Sequence, residues 1–281
     1  MVHEDRAGSE RTKTENFIVS DLSGRSAVVT GGAGGIGRAT AVGLARQGAA
    51  VVVGDLRWPD EDAEMNRLGV TRLTCDVRCE DDVARLIRSA AERQPLGIVV
   101  NNAGIGLTKQ IPEVTETEWD DVLDTNLKAA FLTAKHAIPH MRRRGGGVIV
   151  NVSSNAGLLP RAHDPVYSIS KAALLALTRS LALCHATQRI RVNAVCPGPV
   201  GDTGMMNADL AAAADPEALA REFIQASPLA RAWGRMIAPA EIAAAVLYLV
   251  SDAAMMVTGT AIGIDGGKSL GVPPVSDGSS A

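Results

Sequence analysis

The chain has 281 residues, of which 46% are hydrophobic but only 3% aromatic, and its formal net charge is −3. The apolar content excludes a disordered or collagen-like chain. The weak negative charge and the few aromatic rings argue against nucleic-acid binding. The longest uninterrupted apolar run, residues 242–250, is far shorter than the about 20 residues of a membrane-spanning helix. We therefore expect a soluble protein with an aliphatic core, and neither nucleic acid nor a membrane among its partners.

The two ends of the chain differ from its middle. Residues 1–20 are polar, carry charges of both signs and lack the apolar stretch of a signal peptide. We expect a flexible N-terminal extension over residues 1–20, one domain over residues 21–269 and a loose tail over residues 270–281. Four cysteines, with no further Cys/His pair at zinc-binding spacing, predict reduced thiols, no metal site and a cytoplasmic location.

Short apolar, β-branched runs alternate with longer helical segments. The predicted strands are residues 27–30, 50–54, 72–75, 98–101, 148–152, 190–194 and 261–264. The predicted helices are residues 36–47, 81–92, 118–144, 166–186, 208–225 and 239–251. Because the strands lack polar alternation, they should be buried on both faces, as in a parallel sheet. The pattern predicts a doubly wound α/β fold, with a seven-stranded parallel sheet and helices on both faces.

The first strand leads directly into the glycine-rich sequence TGGAGGIG, residues 30–37, which opens a helix. Gly31, Gly35 and Gly37 would let the backbone turn tightly against a pyrophosphate. Free N–H groups at the helix N-terminus, where Ile36 lies, would face the same anion. The sequence therefore predicts a dinucleotide-binding loop.

Asp55 follows the second strand, 24 residues after Gly31. A carboxylate at this point can accept hydrogen bonds from both hydroxyls of an adenosine ribose and would repel a 2′-phosphate. Gly34 occupies a loop position where a basic residue could have bound such a phosphate. We therefore predict NAD rather than NADP, with Arg57 as the one nearby cation that complicates the choice.

Tyr167 and Lys171 are four residues apart in a predicted helix, so their side chains share one face. An ammonium group beside a phenol favours the phenolate and lowers the phenol pKa from its ordinary value near 10. Ser154 follows a predicted strand 13 residues before Tyr167, at the edge where open α/β sheets build their sites. The other tyrosine, Tyr248, lies in an apolar helix, so Tyr167 is the candidate acid–base residue.

These motifs occur in the order and spacing of the short-chain dehydrogenase/reductase family. They are TGGAGGIG, Asn101-Asn102-Ala103-Gly104, Ser154, Tyr167-x-x-x-Lys171 and Pro197-Gly198. The chain resembles the single-domain branch of about 250 residues, over residues 22–267. The resemblance implies a Rossmann-type sheet, a nicotinamide cofactor and hydride transfer between that cofactor and a secondary alcohol or ketone.

The resemblance also implies a role for each catalytic residue. Tyr167 would be the general acid for reduction and the general base for oxidation. Lys171 would lower the pKa of Tyr167 and hold the nicotinamide ribose. Ser154 would hydrogen-bond the substrate oxygen. Asn126 would hold a water linked to Lys171.

Further cofactor contacts follow from the same resemblance. They would involve Gly31, Gly35, Ile36, Gly37, Asp55, Asp76, Val77, Asn102, Ala103, Gly104, Tyr167, Lys171, Pro197, Gly198, Val200 and Thr203. Asp76 matches the acid that contacts the adenine amino group, and Pro197-Gly198 would lie by the nicotinamide amide. Thr203 comes one residue later than the family pattern P-G-x-x-x-T, which predicts a reshaped loop.

The substrate should lie under a lid over residues 201–225, because variable loops carry specificity on such scaffolds. Candidate substrate contacts are Ser154, Asn155, His163, Tyr167, Met205 and Met206. Methionine suits irregular apolar ligands, so we expect a medium-sized, mainly apolar secondary alcohol or ketone. Alternatively, Met205 and Met206 seal the lid against the core. Substrate identity, stereochemistry and physiological direction stay open.

Two other functions compete with this prediction. An NADP-dependent 3-oxoacyl-[acyl-carrier-protein] reductase could use Arg142 and Arg143 to meet an acidic carrier protein, although cations at a helix C-terminus are common for structural reasons. A non-catalytic nucleotide-binding regulator would be expected to lack part of the catalytic set, which is complete here. Surplus apolar residues on helices 118–144 and 166–186, together with the resemblance, predict a homotetramer.

Overall fold

Seven parallel strands pair in the order β3-β2-β1-β4-β5-β6-β7 in a computed structural model that describes residues 21–159 and 161–271. The strands are β1 Ser26–Thr30, β2 Ala50–Asp55, β3 Thr71–Thr74, β4 Leu96–Asn101, β5 Gly147–Val152, β6 Ile190–Pro197 and β7 Ala261–Ile264. The fold class predicted from the alternation is confirmed. The predicted extension over residues 1–20 and residues 272–281 of the predicted tail lie outside the described residues.

Ten α-helices accompany the sheet in the described part of the chain. They are α1 Gly35–Arg46, α2 Ala63–Arg67, α3 Glu80–Arg93, α4 Glu116–Leu123, α5 Ala129–Arg144, α6 Pro165–His185, α7 Gly204–Ala212, α8 Pro216–Gln225, α9 Pro228–Trp233 and α10 Pro239–Val250. The short helices α2 and α9 are missing from the sequence prediction, because neither is long enough to show helical periodicity.

Two predicted helices are divided in the structure. The segment 118–144 contains a π-helical turn, Asp124–Lys128, between α4 and α5. The segment 208–225 forms two helices, since Pro216 begins α8 and the Asp215 carboxylate caps it by accepting from the Ala218 N–H at 2.9 Å. Proline favours the first turn of a helix and cannot continue the one before it.

Helices cover both faces of the sheet, as predicted. On one face, α1 and α10 pack on a cluster that includes Val29, Val53 and Val150. On the other face, α3 and α5 pack on a cluster that includes Val28 and Val99. All residues of β1, β4 and β5 are buried, which explains why these strands lack polar alternation.

The segment Pro165–Gln188, containing α6, is long and apolar enough by composition alone to span a membrane. Half of its apolar window is buried inside the fold, where α6 packs against β6. The helix α6 is therefore part of the packed core of this fold.

The chain order reverses between β1 and β4, the two central strands. At such a switch point the loops after neighbouring strands diverge and leave a crevice at the carboxyl edge of the sheet. The glycine-rich loop, Asn102 and Ser154 all lie on this edge, because they follow β1, β4 and β5.

Candidate active site

The glycine-rich loop passes so close to neighbouring backbone that side chains are excluded. A Cβ on Gly31, whose φ is +65°, would lie 2.7 Å from the Cα of Ala103. A Cβ on Gly37 would lie 2.1 Å from the carbonyl oxygen of Gly31. The loop is thus shaped so that a ligand can approach the backbone N–H groups at the start of α1, which carries the positive end of the helix dipole.

Asn102 holds this loop in place. Its Nδ2 donates to the carbonyl oxygens of Thr30 and Gly31, at 3.0 and 2.7 Å. The Thr30 hydroxyl accepts in turn from the N–H groups of Asn102 and Ala103, at 3.1 and 3.2 Å. Asn102 and Ala103 therefore fix the geometry of the pyrophosphate loop from the neighbouring strand.

Asp55 ends β2 beside the same loop. Its Oδ2 accepts from the N–H of Ala33 at 2.9 Å, and its Oδ1 from the N–H of Arg57 at 3.4 Å. The Arg57 side chain is exposed and forms no hydrogen bond or ion pair with the described residues. A Cβ on Gly34 would meet nothing within 4 Å. The carboxylate therefore faces an open position at the outer rim of the loop.

Another cation near this rim is already neutralised. Arg38, in the first turns of α1, donates to both carboxylate oxygens of Asp62, at 2.6 and 3.0 Å, and to Glu64 at 3.1 Å. Hydrogen bonding to Arg38 holds the pKa of Asp62 below its ordinary value.

Asp76 and Val77, predicted beside the adenine, follow β3 on the same edge. The Asp76 carboxylate accepts from Nε and Nη2 of Arg78, which also reaches Asp121 on α4. These hydrogen bonds hold the pKa of Asp76 below its ordinary value. None of the described residues accepts a hydrogen bond from the Val77 N–H, so this backbone donor is available to a ligand.

Ser154, Tyr167 and Lys171 come together as predicted. The buried Ser154 follows β5, and its hydroxyl donates to Asn155 Oδ1 at 3.2 Å and accepts from the Ala156 N–H at 3.1 Å. Burial raises the pKa of Tyr167, while the neighbouring Ser154 hydroxyl acts in the opposite direction. This differs from the expected lowering by Lys171, because the loss of water around the phenol outweighs the lowering by the Ser154 hydroxyl and by the positive charge of Arg161.

Lys171 is 3% exposed, and its ammonium donates to the carbonyl oxygen of Val152 at 3.1 Å. Burial lowers the pKa of Lys171 to about 8. Its Nζ lies 5.7 Å from the centre of the Tyr167 ring. A Cβ on Gly104 would lie 3.2 Å from Nζ, so the missing side chain leaves the space beside the ammonium open.

Asn126 lies in the π-helical turn that interrupts the long predicted helix. Its amide pairs with the backbone of Ile105, accepting from the N–H at 2.8 Å and donating to the carbonyl oxygen at 2.9 Å. Its Nδ2 also donates to the Ser170 hydroxyl at 3.0 Å, and that hydroxyl donates to the Tyr167 carbonyl oxygen at 2.7 Å. π-turns are frequent at functional sites, and this one aims Asn126 at α6.

The sequence prediction missed two positioning residues. The Ser153 hydroxyl donates to the carbonyl oxygen of Lys171 at 2.9 Å and so ties the end of β5 to α6. A Cβ on Gly157 would lie 2.8 Å from the same carbonyl group. Doubled serines after a strand are the only sequence signal that could have suggested the first of these.

The loop after β6 brings Thr203 back to the glycine-rich loop despite its late position in the sequence. Asp202 has a left-handed φ of +53°, a conformation that aspartate tolerates better than most residues. Immediately after it, Thr203 fills the space beside Gly35, where a Cβ would lie 3.1 Å from Thr203 Cγ2. The Thr203 hydroxyl accepts from the Met206 N–H and donates to the Val200 carbonyl oxygen, both at 3.2 Å.

β6 ends at Pro197, and the next residue, Gly198, lies against Asp265. A Cβ on Gly198 would lie 2.9 Å from the Asp265 Cα. The lid is closed at its base by backbone hydrogen bonds from Gly201 to Ile237 and from Ile237 to Pro199. Residues 202–236 therefore form one excursion over the site, containing α7, α8 and α9.

The predicted substrate residues have different surroundings. Asn155 is buried beside Ser154, and Met206 is the buried residue of the lid helix α7. Met205 is 40% exposed, and a Cβ on Gly106 would lie 3.6 Å from its Sδ. His163 is exposed and makes no hydrogen bond or ion pair with the described residues, so nothing in the structure links it to Tyr167.

A nicotinamide dinucleotide fits the residues on this edge. The glycine loop leaves a cradle that any Cβ at Gly31 or Gly37 would fill, and the carboxylate of Asp55 stands where ribose hydroxyls need an acceptor. The buried ammonium of Lys171 borders the open space beside Gly104. When bound, such a cofactor supplies hydride chemistry.

Comparison with known proteins agrees with this geometry. A family model described as enoyl-(acyl carrier protein) reductase matches residues 31–269. The chain is 43% identical to the cis-4-hydroxycyclohexanecarboxylate dehydrogenase of Sinomonas cyclohexanicum, covering 86% of this chain and 96% of that protein. It is 40% identical to the 4-formylbenzenesulfonate dehydrogenase TsaC1/TsaC2 of Comamonas testosteroni, covering 89% of this chain and 100% of that protein.

Among solved structures, the ligand-free aldohexose dehydrogenase of Thermoplasma acidophilum superposes with a TM-score of 0.82 at 32% identity. The match covers 91% of this chain and 98% of that one. Fold, site geometry and relatives agree, and the chain belongs to the short-chain dehydrogenase/reductase family, as an NAD(P)-type oxidoreductase that acts on alcohol groups.

Proposed function

We propose that this enzyme transfers hydride between NAD and a secondary alcohol or ketone, with Tyr167 as the acid–base residue. The observation that carries the proposal is the buried convergence of Ser154, Tyr167 and Lys171 at the carboxyl edge of the sheet. The Ser154 and Tyr167 hydroxyls can both bond the substrate oxygen, so charge that develops there is stabilised. Tyr167 gives up or receives the proton, and Lys171 compensates the negative charge of the phenolate.

The preference for NAD over NADP is supported by the charges at the loop rim. Asp55 places a carboxylate there, and Gly34 supplies no side chain that could bind a 2′-phosphate. Arg38 is bound to Asp62 and Glu64, so it offers no unpaired charge to a phosphate. A 2′-phosphate at Asp55 would meet a like charge directly, which leaves the exposed Arg57, two residues further along the loop, as the nearby cation that could offset the repulsion.

The proposed substrate is a mainly apolar alcohol about the size of one carbon ring. Apolar side chains at the site opening support this: Ile105, Leu158, Leu159 and Met205 are all exposed there. The names of two relatives point the same way, because one acts on a hydroxylated cyclohexane and the other on a substituted benzene. Sugar oxidation is the competing outcome, since one structural neighbour is an aldohexose dehydrogenase.

The carrier-protein alternative is less well supported by the position of the arginines. Arg142 and Arg143 lie in the last turn of α5, next to the start of β5. Their neighbour Arg144 packs against Gly97 at the start of β4. This is the amino edge of the sheet, whereas Tyr167 lies at the carboxyl edge. A carrier protein bound at these arginines would therefore be on the wrong side to deliver its acyl chain.

A homotetramer is proposed from the exposed apolar residues of the two long helices. Phe131 on α5 is 51% exposed, and Ile169 and Leu183 on α6 are exposed as well. Large apolar side chains on neighbouring helices favour burial against a second copy of the chain.

The proposed activity is tested with purified protein and a panel of cyclic alcohols, sterols, hydroxy acids and sugars. Formation of NADH or NADPH is followed by absorbance, and kcat/KM is compared for the two cofactors. We expect turnover of ring alcohols with NAD, and a loss of about 1,000-fold in kcat for Tyr167→Phe. Turnover that survives in Tyr167→Phe would refute the mechanism, and activity confined to sugars would refute the apolar substrate.

A further inference from the structure

Arg161 is a charged residue beside the catalytic tyrosine that the proposed mechanism does not use. It lies in the loop between β5 and α6, six residues before Tyr167. Its guanidinium carbon Cζ is 5.3 Å from the centre of the Tyr167 ring. The cation therefore borders the space in which a substrate must lie to reach the Tyr167 hydroxyl.

Asp164 fixes the orientation of this guanidinium. Arg161 Nε donates to Asp164 Oδ1 at 3.0 Å, and Arg161 Nη2 donates to Asp164 Oδ2. Asp164 is only 4% exposed, and its Oδ1 also accepts from the Ser168 hydroxyl at 3.3 Å. An arginine held in this way cannot rotate freely, so its remaining donors are pre-organised.

One edge of the guanidinium is left for a ligand. Asp164 occupies the edge formed by Nε and Nη2, and Nη1 has no hydrogen-bond partner among the described residues. The Arg161 side chain is 27% exposed, and the edge formed by Nη1 and Nη2 is the one that Asp164 leaves free. A planar carboxylate matches that edge with two parallel hydrogen bonds.

The surrounding charges come from two further elements. Lys268, after β7, lies close enough to Arg161 for the two cations to repel each other. Asp209, exposed on α7 of the lid, lies close enough to interact electrostatically with Arg161, Asp164 and Tyr167. Asp209 forms no hydrogen bond or ion pair with the residues that the structure describes. The Asp209 carboxylate therefore does not occupy Arg161. Its negative charge would, however, weaken the binding of an anion at Arg161 through repulsion.

We propose that Arg161 is a specificity-determining residue that binds a carboxylate group of the substrate. The carboxylate would sit at the end of the molecule remote from the carbon that bears the hydroxyl. The inference rests on the proposed function and narrows its substrate class from ring alcohols to hydroxy acids with a spacer between the two groups. Asp164 positions Arg161, and Asp209 opposes the bound anion.

Binding can be measured without turnover. Cyclohexanecarboxylate and its neutral analogue cyclohexanecarboxamide both lack a hydroxyl group, so neither can be oxidised at a secondary alcohol. Each is titrated calorimetrically into the protein with saturating NAD. Two charge-assisted hydrogen bonds predict that the carboxylate binds about 100-fold more tightly than the amide.

Four variants separate recognition from a structural role of Arg161. Arg161→Gln should weaken carboxylate binding about 100-fold and change amide binding less than about threefold. The affinity of Arg161→Lys for the carboxylate should lie between those of the wild type and Arg161→Gln, because an ammonium group cannot form the two parallel hydrogen bonds of a guanidinium. Arg161→Gln with Asp164→Asn removes the unpaired buried carboxylate and should show the same loss of preference. Asp209→Asn should strengthen carboxylate binding by about two- to fivefold, since it removes a like charge.

Equal affinity of the wild-type protein for carboxylate and amide would overturn the proposal, and so would absence of binding by both. If Arg161→Gln lost affinity for the carboxylate and the amide to the same extent, Arg161 would only support the Tyr167 ring and would not recognise a carboxylate. The proposed function fails separately: it requires NAD-linked oxidation of an alcohol and loss of turnover in Tyr167→Phe, neither of which the binding titrations measure. Alcohol oxidation without carboxylate preference would refute only the role of Arg161.

Discussion

Lys171 Nζ lies 5.7 Å from the centre of the Tyr167 ring, and both side chains are buried at the carboxyl edge of the sheet. Burial acts on the two groups in opposite directions, raising the pKa of Tyr167 and lowering that of Lys171 to about 8. Both shifts disfavour the charged forms that catalysis needs. The fold therefore holds these residues at a cost in stability, as is common at functional sites.

Replacing Lys171 with Met should stabilise the protein without cofactor while abolishing activity. The difference between the ordinary lysine pKa of 10.5 and about 8 corresponds to about 3 kcal/mol. Below pH 8 the folded and unfolded chains both carry the proton, so the folded state bears this whole cost. As pH rises from about 8 to 10.5 the cost disappears, because the folded state has released the proton.

We therefore expect Lys171→Met to raise the free energy of unfolding by up to about 3 kcal/mol at pH 7, and by much less above pH 10. Urea unfolding, followed by circular dichroism at both pH values, measures this change in the free energy of unfolding. Lys135→Met, at an exposed ion pair with Glu80, is the control and should change stability little. Equal effects of Lys171→Met at the two pH values would contradict the buried-charge explanation.

Asn102→Ala should weaken cofactor binding, because the glycine-rich loop is then no longer held in the shape that binds the pyrophosphate. The variant removes the two hydrogen bonds that Nδ2 donates to Thr30 and Gly31. At about 1 kcal/mol each, their loss predicts a Kd for NADH about 10- to 50-fold higher. Fluorescence titration measures this. Asn66→Ala, whose exposed side chain forms no hydrogen bond with the described residues, should leave the Kd unchanged.

The sheet, and the shared helix face of Tyr167 and Lys171, could be predicted from sequence because both depend on local patterns. Aliphatic runs give buried strands, and Tyr167 and Lys171 share a helix face by spacing alone. The dependence of Asn126 on Ser170 could not be predicted, since it arises from a π-helical turn that shifts the helix register. The contact between Arg161 and Tyr167 could not be predicted for a similar reason, because the conformation of a loop, rather than any periodicity, places the cation over the ring.

Thr203 illustrates the same limit. Its late position in the sequence predicted a reshaped loop, and the chain accommodates it with a left-handed residue, Asp202. Thr203 returns to the glycine loop directly after this left-handed residue, a local conformation that spacing does not reveal. The break at Pro216 within the predicted helix 208–225 was, by contrast, readable from its proline.

Gly34→Arg combined with Asp55→Ala should reverse the cofactor preference. Gly34 has an extended backbone, with φ of −160°, that any residue can adopt, and its Cβ would point into open space. The new guanidinium could bind a 2′-phosphate while the repelling carboxylate is removed. We expect kcat/KM for NADP relative to NAD to rise at least about 100-fold.

Asp55→Ala alone is the matched single variant for this experiment, and it should only relax the preference. The carboxylate also accepts from the Ala33 N–H, so some loss of NAD affinity is expected in both variants. If the wild-type enzyme already favours NADP, the assignment of NAD is refuted.

Phe131→Asp should break the proposed tetramer. Phe131 is 51% exposed on α5, and a carboxylate buried at its position in a subunit interface would be strongly disfavoured. We expect light scattering to give the mass of a smaller assembly, with an unchanged circular dichroism spectrum. Leu56→Asp is the control, because Leu56 is 55% exposed but lies outside the two long helices. A wild-type monomer would contradict the tetramer, and an unchanged mass of Phe131→Asp would show that this face of α5 lies outside the interface.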